Sequence, residues 1–249
     1  MIHLRPLPGS ARFDGQAAKI LDDALRDADA LATGGAAALM MENFGDVPFF
    51  PGRVPALVVA SMTAIGCAVQ SKIGLPLGIN VLRNDGQSAL AVAVAAGARF
   101  IRVNVLCGAR VTDQGVINGI AHDLLRERAM LGAASVAILA DVDVKHSAPL
   151  AARSLEDETE DTVHRGLADA LIVSGSGTGK STDPRQLRAV KEAAPSTPVL
   201  VGSGVSAATI GKLLPWADGF IVGTSVKKDG DVANAVDVKR VRELVRRSR

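Results

Sequence analysis

Three charged side chains near the middle of the chain could carry out acid–base chemistry. They lie in the segment Ala137–His146 (AILADVDVKH), which begins apolar and ends with Asp141, Asp143 and Lys145 among its last residues. Successive side chains of a β-strand point to opposite faces, so we expect these three to share one face while the other face stays apolar. Carboxylates beside an amine tune one another's pKa and can transfer protons. The segment therefore predicts a catalytic strand end.

The same residues allow three other roles. Lys145 would form a Schiff base with a carbonyl substrate if its pKa were lowered. Asp141 and Asp143 would bind a hard metal ion if Glu42 joined them, but side chains two residues apart on a strand are about 7 Å apart, too wide for an easy chelate. A purely structural ion-pair network is the third role. Proton transfer without a metal is our prediction, and the sequence leaves any cofactor unknown.

Polar side chains also follow other predicted strands. His3 ends the first strand, which a barrel places across from Lys145, and Glu42 follows the second strand. We add His3 and Glu42 to the candidate catalytic residues. Amide, hydroxyl and guanidinium groups suit the recognition of substrate hydroxyl and carbonyl groups. The candidate substrate-binding residues of this kind are Asn43, Asn80, Arg83, Arg102, Asn104 and Ser174.

Two glycine-rich loops late in the chain favour phosphate binding. They are VLVGSGVS (Val199–Ser206) and FIVGTSVK (Phe220–Lys227). Glycines allow main-chain N–H groups to approach an anion closely, although they also form tight turns without any ligand. The candidate phosphate-binding residues are Gly202, Ser203, Gly204, Gly223, Thr224 and Ser225.

A third glycine-rich segment, Ser174–Ser181 (SGSGTGKS), nearly matches the phosphate loop GxxxxGK[ST], but Ser174 replaces its first glycine. Nucleoside triphosphate hydrolysis is therefore a weaker hypothesis than a glycine-rich lid or a third phosphate contact. Gly177 and Gly179 are the candidate residues for that contact. Lys180 suits an anion contact and a solvated position equally well.

Eight predicted strands alternate with helices, which indicates how these residues are positioned. The pattern predicts one domain, residues 1–249, folded as an α/β protein: a single (β/α)8 TIM barrel of the phosphate-binding type, whose loops after strands seven and eight commonly hold phosphate. An open doubly wound sheet would need a glycine fingerprint after the first strand, and HLRPLPG is not one. The predicted strands are Ile2–Leu4, Ala36–Met41, Leu77–Val81, Arg99–Val105, Ala137–His146, Ala170–Ser174, Val199–Gly202 and Gly219–Val222. Between them we predict a long loop containing Arg110 and Asp113, and helices that include Glu156–Gly166 and Ala207–Leu214.

Composition excludes several classes of function. Of 249 residues, 48% are apolar, only 3% are aromatic and the net charge is +2, which argues against a base-stacking nucleic-acid platform. The basic segment Lys239–Arg249 suits the solvated face of a terminal helix. Cys67 and Cys107 form no metal or redox motif, so we expect reduced thiols in the cytoplasm. The apolar run Pro55–Cys67 is short for a membrane span, so we expect no integral membrane association. Apolar outer helices favour a homo-oligomer.

Several long motifs resemble those of the BtpA/SgcQ family over essentially the whole chain. They include MIHLRPLPGS at the start, ENFGDVPF (Glu42–Phe49), GINVLRND (Gly78–Asp85), LADVDVKHSAPL (Leu139–Leu150) and ADGFIVGTSVKKDG (Ala217–Gly230). The resemblance implies a phosphate-binding (β/α)8 barrel. It also implies two contrasting roles, photosystem I biogenesis as a peripheral thylakoid protein in one branch and a link to sugar transport and kinase functions in others. The family supplies no settled catalytic residues.

The leading hypothesis is a cytoplasmic barrel enzyme acting on a phosphorylated sugar or nucleoside-like metabolite. Carbon–carbon or glycosidic bond cleavage, or isomerisation, would suit the predicted site. The phosphate would bind the loops after strands seven and eight. The alternatives are a non-catalytic assembly factor and a nucleoside triphosphatase.

Overall fold

A computed structural model describes residues 1–175 and 181–248, and its eight central strands form one curled parallel sheet. The strands, in chain order, are β1 Ile2–His3, β2 Leu39–Glu42, β3 Leu77–Asn80, β4 Phe100–Val103, β5 Ala109–Thr112, β6 Gly115–Asn118, β7 Ala137–Val142, β8 Ser147–Pro149, β9 Ala170–Val173, β10 Val199–Val201 and β11 Gly219–Phe220. The central sheet has the order β1-β2-β3-β4-β7-β9-β10-β11, and every pair in it is parallel. The main-chain nitrogen of Met1 donates a 2.8 Å hydrogen bond to the carbonyl of Val222, which joins the two edges. The predicted (β/α)8 barrel is confirmed.

Within the described residues, seven α-helices surround or cap the sheet. They are α1 Ala17–Thr33, α2 Ala56–Ile73, α3 Gly86–Ala96, α4 Ala121–Met130, α5 Leu155–Glu160, α6 Pro184–Ala193 and α7 Val238–Arg247. The predicted helix after β10 is wrong, because Ile210–Lys212 forms only a 3₁₀ turn. There the Thr209 hydroxyl accepts from the amide of Ser206 and donates to the carbonyl of Gly204. Such local bonds compete with an α-helix.

Helix α2 is long and apolar enough, by length and composition, to cross a membrane. In the fold it packs between α1 and α3, with Val58, Met62 and Ile65 buried in the main core. Packing in the helix layer therefore accounts for the buried face of α2, whereas Leu57 on the same helix is exposed.

The two faces of the sheet bury different residues. Outward-facing side chains such as Met41, Ile79 and Ile101 pack beneath the helices. Inside the barrel, a second cluster of Met40, Leu139, Ala170 and Ile172 fills the amino end, where Phe100 packs against it. Because strand side chains alternate, the next inward-facing layer lies toward the carboxyl ends of the strands, and it is polar.

The fifth central strand, β7, is shorter than predicted. It ends at Val142, and Asp143 and His146 adopt positive φ angles of 51° and 57°. The amide of Asp143 donates to a carboxylate oxygen of Glu158 at 2.9 Å instead of continuing the ladder. Aspartate is among the residues that tolerate this conformation. The expectation that Asp141, Asp143 and Lys145 share one strand face is therefore wrong.

The segment predicted as a long loop contains a hairpin. Strands β5 and β6 pair antiparallel, and β8 pairs with the other edge of β5. Arg110, which is buried, anchors this small sheet, because its guanidinium contacts Glu158 of α5, the side chain of Asp143 and the hydroxyl of Ser147. We name β5, β6 and β8 the cap sheet. It lies at the carboxyl end of the barrel because it follows β4 and β7.

Candidate active site

A cavity of about 480 Å³ opens at the carboxyl end of the barrel. Among the predicted catalytic and substrate-binding residues, His3, Glu42, Lys145 and Arg102 line it. The residues predicted to bind phosphate after β10 and β11 line the same cavity: Gly202, Ser203, Gly204, Gly223, Thr224 and Ser225. The fold thus brings together two groups of residues that are distant in the sequence.

Asp141 is fully buried, and its carboxylate accepts hydrogen bonds from neighbouring side chains. The guanidinium of Arg102 donates to both of its oxygens, at 2.8 and 3.1 Å. The amide of Asn104 also donates to it, and the hydroxyl of Ser174 lies 3.5 Å away. A carboxylate with this many donors is well suited to orient Arg102, and less suited to exchange protons with a ligand.

Asp143 lies away from the cavity lining. Its side chain is 46% exposed and accepts hydrogen bonds from Arg110 and, at 2.9 Å, from Gln186. The left-handed turn after β7 directs it toward the cap sheet and α6. Asp143 therefore belongs to an ion-pair network at the rim of the barrel.

The predicted substrate-binding amides are partly committed to protein contacts. Asn43 accepts from the amide of Leu82 at 2.7 Å and donates to Asp46, so it shapes the loop after β2. Asn80 donates to Glu42, as Asn104 does to Asp141. Among the described residues, the amide oxygens of Asn80 and Asn104 have no hydrogen-bond partner. These two oxygens are open acceptors beside the polar layer.

His3 and Glu42 form an acid–base pair at the cavity wall. Their closest atoms, Nε2 of His3 and Oε1 of Glu42, are 3.9 Å apart. Burial, together with nearby positive charges such as Lys227, lowers the pKa of His3 well below its ordinary value. The imidazole is therefore neutral at pH 7, and it packs against the ring of Phe44 with centroids 4.7 Å apart.

Lys145 reaches the cavity from the turn after β7. Within the part of the chain that the structure describes, its amine makes no hydrogen bond or ion pair. Burial and the neighbouring charge of Arg102 lower the pKa of Lys145, and Glu42 partly opposes this. Its main chain is held firmly, since Nη2 of Arg83 donates to the Lys145 carbonyl at 2.7 Å.

Close packing requires two of the glycines that line the cavity. A Cβ atom on Gly202 would lie 2.5 Å from Cγ2 of Ile172, and one on Gly223 would lie 2.6 Å from Cε1 of His3. In residues 1–175 and 181–248, the main-chain N–H groups of Gly204, Thr224 and Ser225 donate to no protein acceptor. Such N–H groups are suitable donors to a phosphate. The predicted contacts Gly177 and Gly179 lie outside the described residues.

Sequence interpretation missed some cavity residues. Arg240 of α7 lines the cavity, and its guanidinium lies 3.4 Å from the carbonyl of Ser225. Arg240 was not predicted as a site residue because its helix is basic, and a basic helix usually faces solvent. Ser206, Thr209 and Phe44 also line the cavity. Their only sequence signal was proximity to the strand ends.

No metal centre is evident in the described ranges, where no three His, Cys, Asp or Glu side chains converge. Asp141 and Asp143, which the metal hypothesis required together, contact different partners. The described side chains of the site are acidic, basic and cationic groups beside two glycine loops.

A curled parallel (β/α)8 barrel with a cavity at its carboxyl end has the TIM-barrel fold. The chain is a member of the BtpA family, whose family model matches residues 1–249.

Two relatives show the family by sequence. An uncharacterized protein of Thermococcus kodakarensis is 49% identical over 245 residues, covering 98% of this chain and 92% of the relative. The photosystem I biogenesis protein BtpA of a Synechocystis species is 47% identical over 245 residues, covering 98% of this chain and 85% of the relative.

Two solved structures support the fold. Thiamine phosphate pyrophosphorylase from Pyrococcus furiosus superposes with a TM-score of 0.59 at 16% identity, over 94% of this chain and 92% of that one. Orotidine 5'-phosphate decarboxylase from Pyrococcus horikoshii gives a TM-score of 0.58 at 14% identity, over 91% and 94% of the chains. At these identities the likeness concerns the fold alone.

Proposed function

We propose that this protein is a cytoplasmic enzyme acting on a phosphorylated sugar or a nucleoside-like phosphorylated metabolite. The observation that carries the proposal is that one cavity contains both the glycine loops and an acid–base group. The loops at Gly202–Gly204 and Gly223–Ser225 would hold the phosphate, and Arg240 would add positive charge at the rim. The names of the two structural neighbours refer to phosphorylated compounds, which agrees with this assignment.

The chemistry would take place beside the bound phosphate. Glu42 and neutral His3 are suited to accept and donate protons, because they are adjacent and the imidazole starts unprotonated. Arg102, oriented by Asp141, would stabilise negative charge that develops on a substrate oxygen. Such a set fits carbon–carbon cleavage, isomerisation or glycosidic cleavage of a phosphorylated substrate.

A panel of phosphorylated sugars and nucleosides tests the proposal. We expect at least one compound to stabilise the protein in a thermal-shift screen and to be converted by it, as followed by ³¹P NMR. The variant Glu42→Gln should retain binding but lose most turnover, about 10²-fold or more for a removed acid–base group. If turnover is the same in Glu42→Gln as in the wild type, the acid–base assignment is wrong.

A non-catalytic assembly role is the second candidate, because the Synechocystis relative is named for photosystem I biogenesis. That role predicts a protein partner and no requirement for the glycine loops. Nucleoside triphosphate hydrolysis is a weaker hypothesis, and intact ATP and GTP after incubation with magnesium would exclude it. We also propose that the protein self-associates into a homo-oligomer and does not insert into a membrane.

A further inference from the structure

The amine of Lys145 differs from three buried cationic side chains of this fold, each of which has an acidic partner. Buried Arg102 is paired with Asp141, buried Arg110 with Glu158, and buried Lys227 with Asp27. Lys145 lines the cavity without an acidic partner among the described residues. A partly buried ammonium without a counter-ion is unfavourable, so the cavity favours the neutral amine, which is nucleophilic.

The main chain around Lys145 is fixed although its side chain is free. The residue lies between Asp143 and His146, which have positive φ angles, and two residues before β8 of the cap sheet. Arg83 holds its carbonyl, and the Ser147 hydroxyl donates to the carbonyl of Val144. A rigid backbone that presents a free amine to a ligand cavity is an arrangement suited to covalent catalysis.

We propose that Lys145 forms a Schiff base with the carbonyl carbon of a phosphorylated aldehyde or ketone bound in this cavity. The proposal rests on the proposed function and narrows its substrate class to phosphorylated carbonyl compounds. It also narrows the reaction to cleavage or isomerisation next to that carbonyl.

The step balances with groups that line the cavity. The Lys145 nitrogen adds its lone pair to the carbonyl carbon, and a proton moves from nitrogen to the former carbonyl oxygen. That hydroxyl takes a second proton from an acid such as Glu42 and leaves as water, while the nitrogen lone pair forms the iminium. The iminium then accepts the electron pair of an adjacent C–C or C–H bond as it breaks. In C–C cleavage the departing fragment loses its hydroxyl proton to a base and leaves as a carbonyl compound. The enamine that remains on Lys145 then takes a proton at carbon, which restores the iminium, and addition of water releases the product and regenerates the amine.

Borohydride trapping tests the proposal. The wild-type protein is incubated separately with glycolaldehyde phosphate and dihydroxyacetone phosphate, and sodium borohydride is added. An imine at Lys145 would be reduced to a stable amine that adds the mass of the compound less one oxygen atom. Peptide mapping should place the label on Lys145 roughly tenfold faster than on exposed Lys228. Inorganic phosphate should slow labelling of Lys145 but not of Lys228.

Three variants make the result decisive. Lys145→Arg keeps a long side chain with nitrogen at its end but removes the nucleophilic amine, so the trapped adduct at this position should disappear. Lys228→Arg is the matched control and should label Lys145 as the wild type does. Equal labelling of Lys145 and Lys228 by both probes would overturn the proposal.

Lys145→Met separates the Schiff-base proposal from the proposed function, because it should still bind inorganic phosphate in calorimetry. Phosphate binding without labelling refutes the Schiff base alone, whereas a wild type that binds no phosphate refutes the proposed function.

Discussion

At the scale of single residues, Asp141 and Asp143 show how two similar carboxylates acquire different roles. Asp141 is inside the barrel and holds Arg102 by two hydrogen bonds, whereas Asp143 is half exposed at the rim. The residue types and their inward alternation up to Asp141 were predictable from the sequence. The position of Asp143 was not, because it depends on a left-handed turn and on Glu158, which is distant in the sequence.

Replacement of each aspartate by asparagine should separate these roles. Asp141→Asn leaves the buried Arg102 without its charged partner, so we expect the free energy of unfolding to fall by about 3 kcal/mol or more. Asp143→Asn disturbs a solvent-screened pair and should cost less than about 1 kcal/mol. Urea denaturation of both variants gives the comparison. Equal losses of unfolding free energy in the two variants would contradict the prediction that the buried Arg102–Asp141 pair contributes more to stability than the contacts of Asp143.

His3 should make the stability of the protein dependent on pH. Its pKa is lower in the folded protein than in the unfolded chain because burial disfavours the imidazolium. Below the ordinary pKa of histidine, the His3 imidazole therefore binds a proton in the unfolded chain but not in the folded protein. The free energy of unfolding consequently falls as the pH falls. The slope from this group reaches at most about 1.4 kcal/mol per pH unit.

Denaturation at pH 7.5 and at lower pH values through the unfolded histidine titration measures this effect. The variant His3→Gln should lose much of the slope near the unfolded titration. The exposed His122→Gln serves as the control and should keep it. A wild-type slope that survives in His3→Gln would show that another group is responsible.

At the scale of elements, strand periodicity predicted seven of the eight central strands closely. It failed for the segments whose structure depends on distant partners. The cap sheet needs β8 to pair with β5, and a pairing across more than thirty residues leaves no local pattern. The missing helix after β10 reflects competition from the side chain of Thr209.

The cap sheet should depend on Arg110. Arg110→Met removes the contacts with Glu158, Asp143 and Ser147, so we expect hydrogen exchange in residues 109–118 and 147–149 to rise by about tenfold or more. Exchange in β7 should change much less. Arg165→Met, at a side chain that is 81% exposed, is the control and should leave both regions unchanged. An equal rise in β7 would show that Arg110 supports the whole barrel.

The loop after β11 should lose phosphate affinity when Gly223 gains a side chain. In Gly223→Ala the new Cβ would press on His3, so the loop must shift away from its present position. Loss of one charge-assisted hydrogen bond lowers affinity by about tenfold. Isothermal titration calorimetry with inorganic phosphate measures the change. Gly211→Ala, whose Cβ meets nothing within 4 Å, should bind as the wild type does.

At the scale of the whole molecule, the two ends of the barrel interior differ in polarity. The amino end of its interior is filled by apolar side chains such as Met40, Leu139 and Ile172. The carboxyl end holds the polar layer and the cavity. The alternation of strands and helices was sufficient to predict this division, since parallel barrels place their functional groups at the carboxyl ends of the strands. The position of Arg240 beside the glycine loops could not be predicted in this way, because it depends on closure of the barrel.

The position of bound phosphate shows whether the glycine loops form an anion site. A crystal structure of the wild-type protein grown with inorganic phosphate should show an ordered ion between residues 202–206 and 223–225, within hydrogen-bond distance of their main-chain N–H groups. The occupancy of the ion at that position should be lower in crystals of Gly223→Ala grown in the same way. Phosphate bound only elsewhere on the protein, with this cavity empty, would contradict the account.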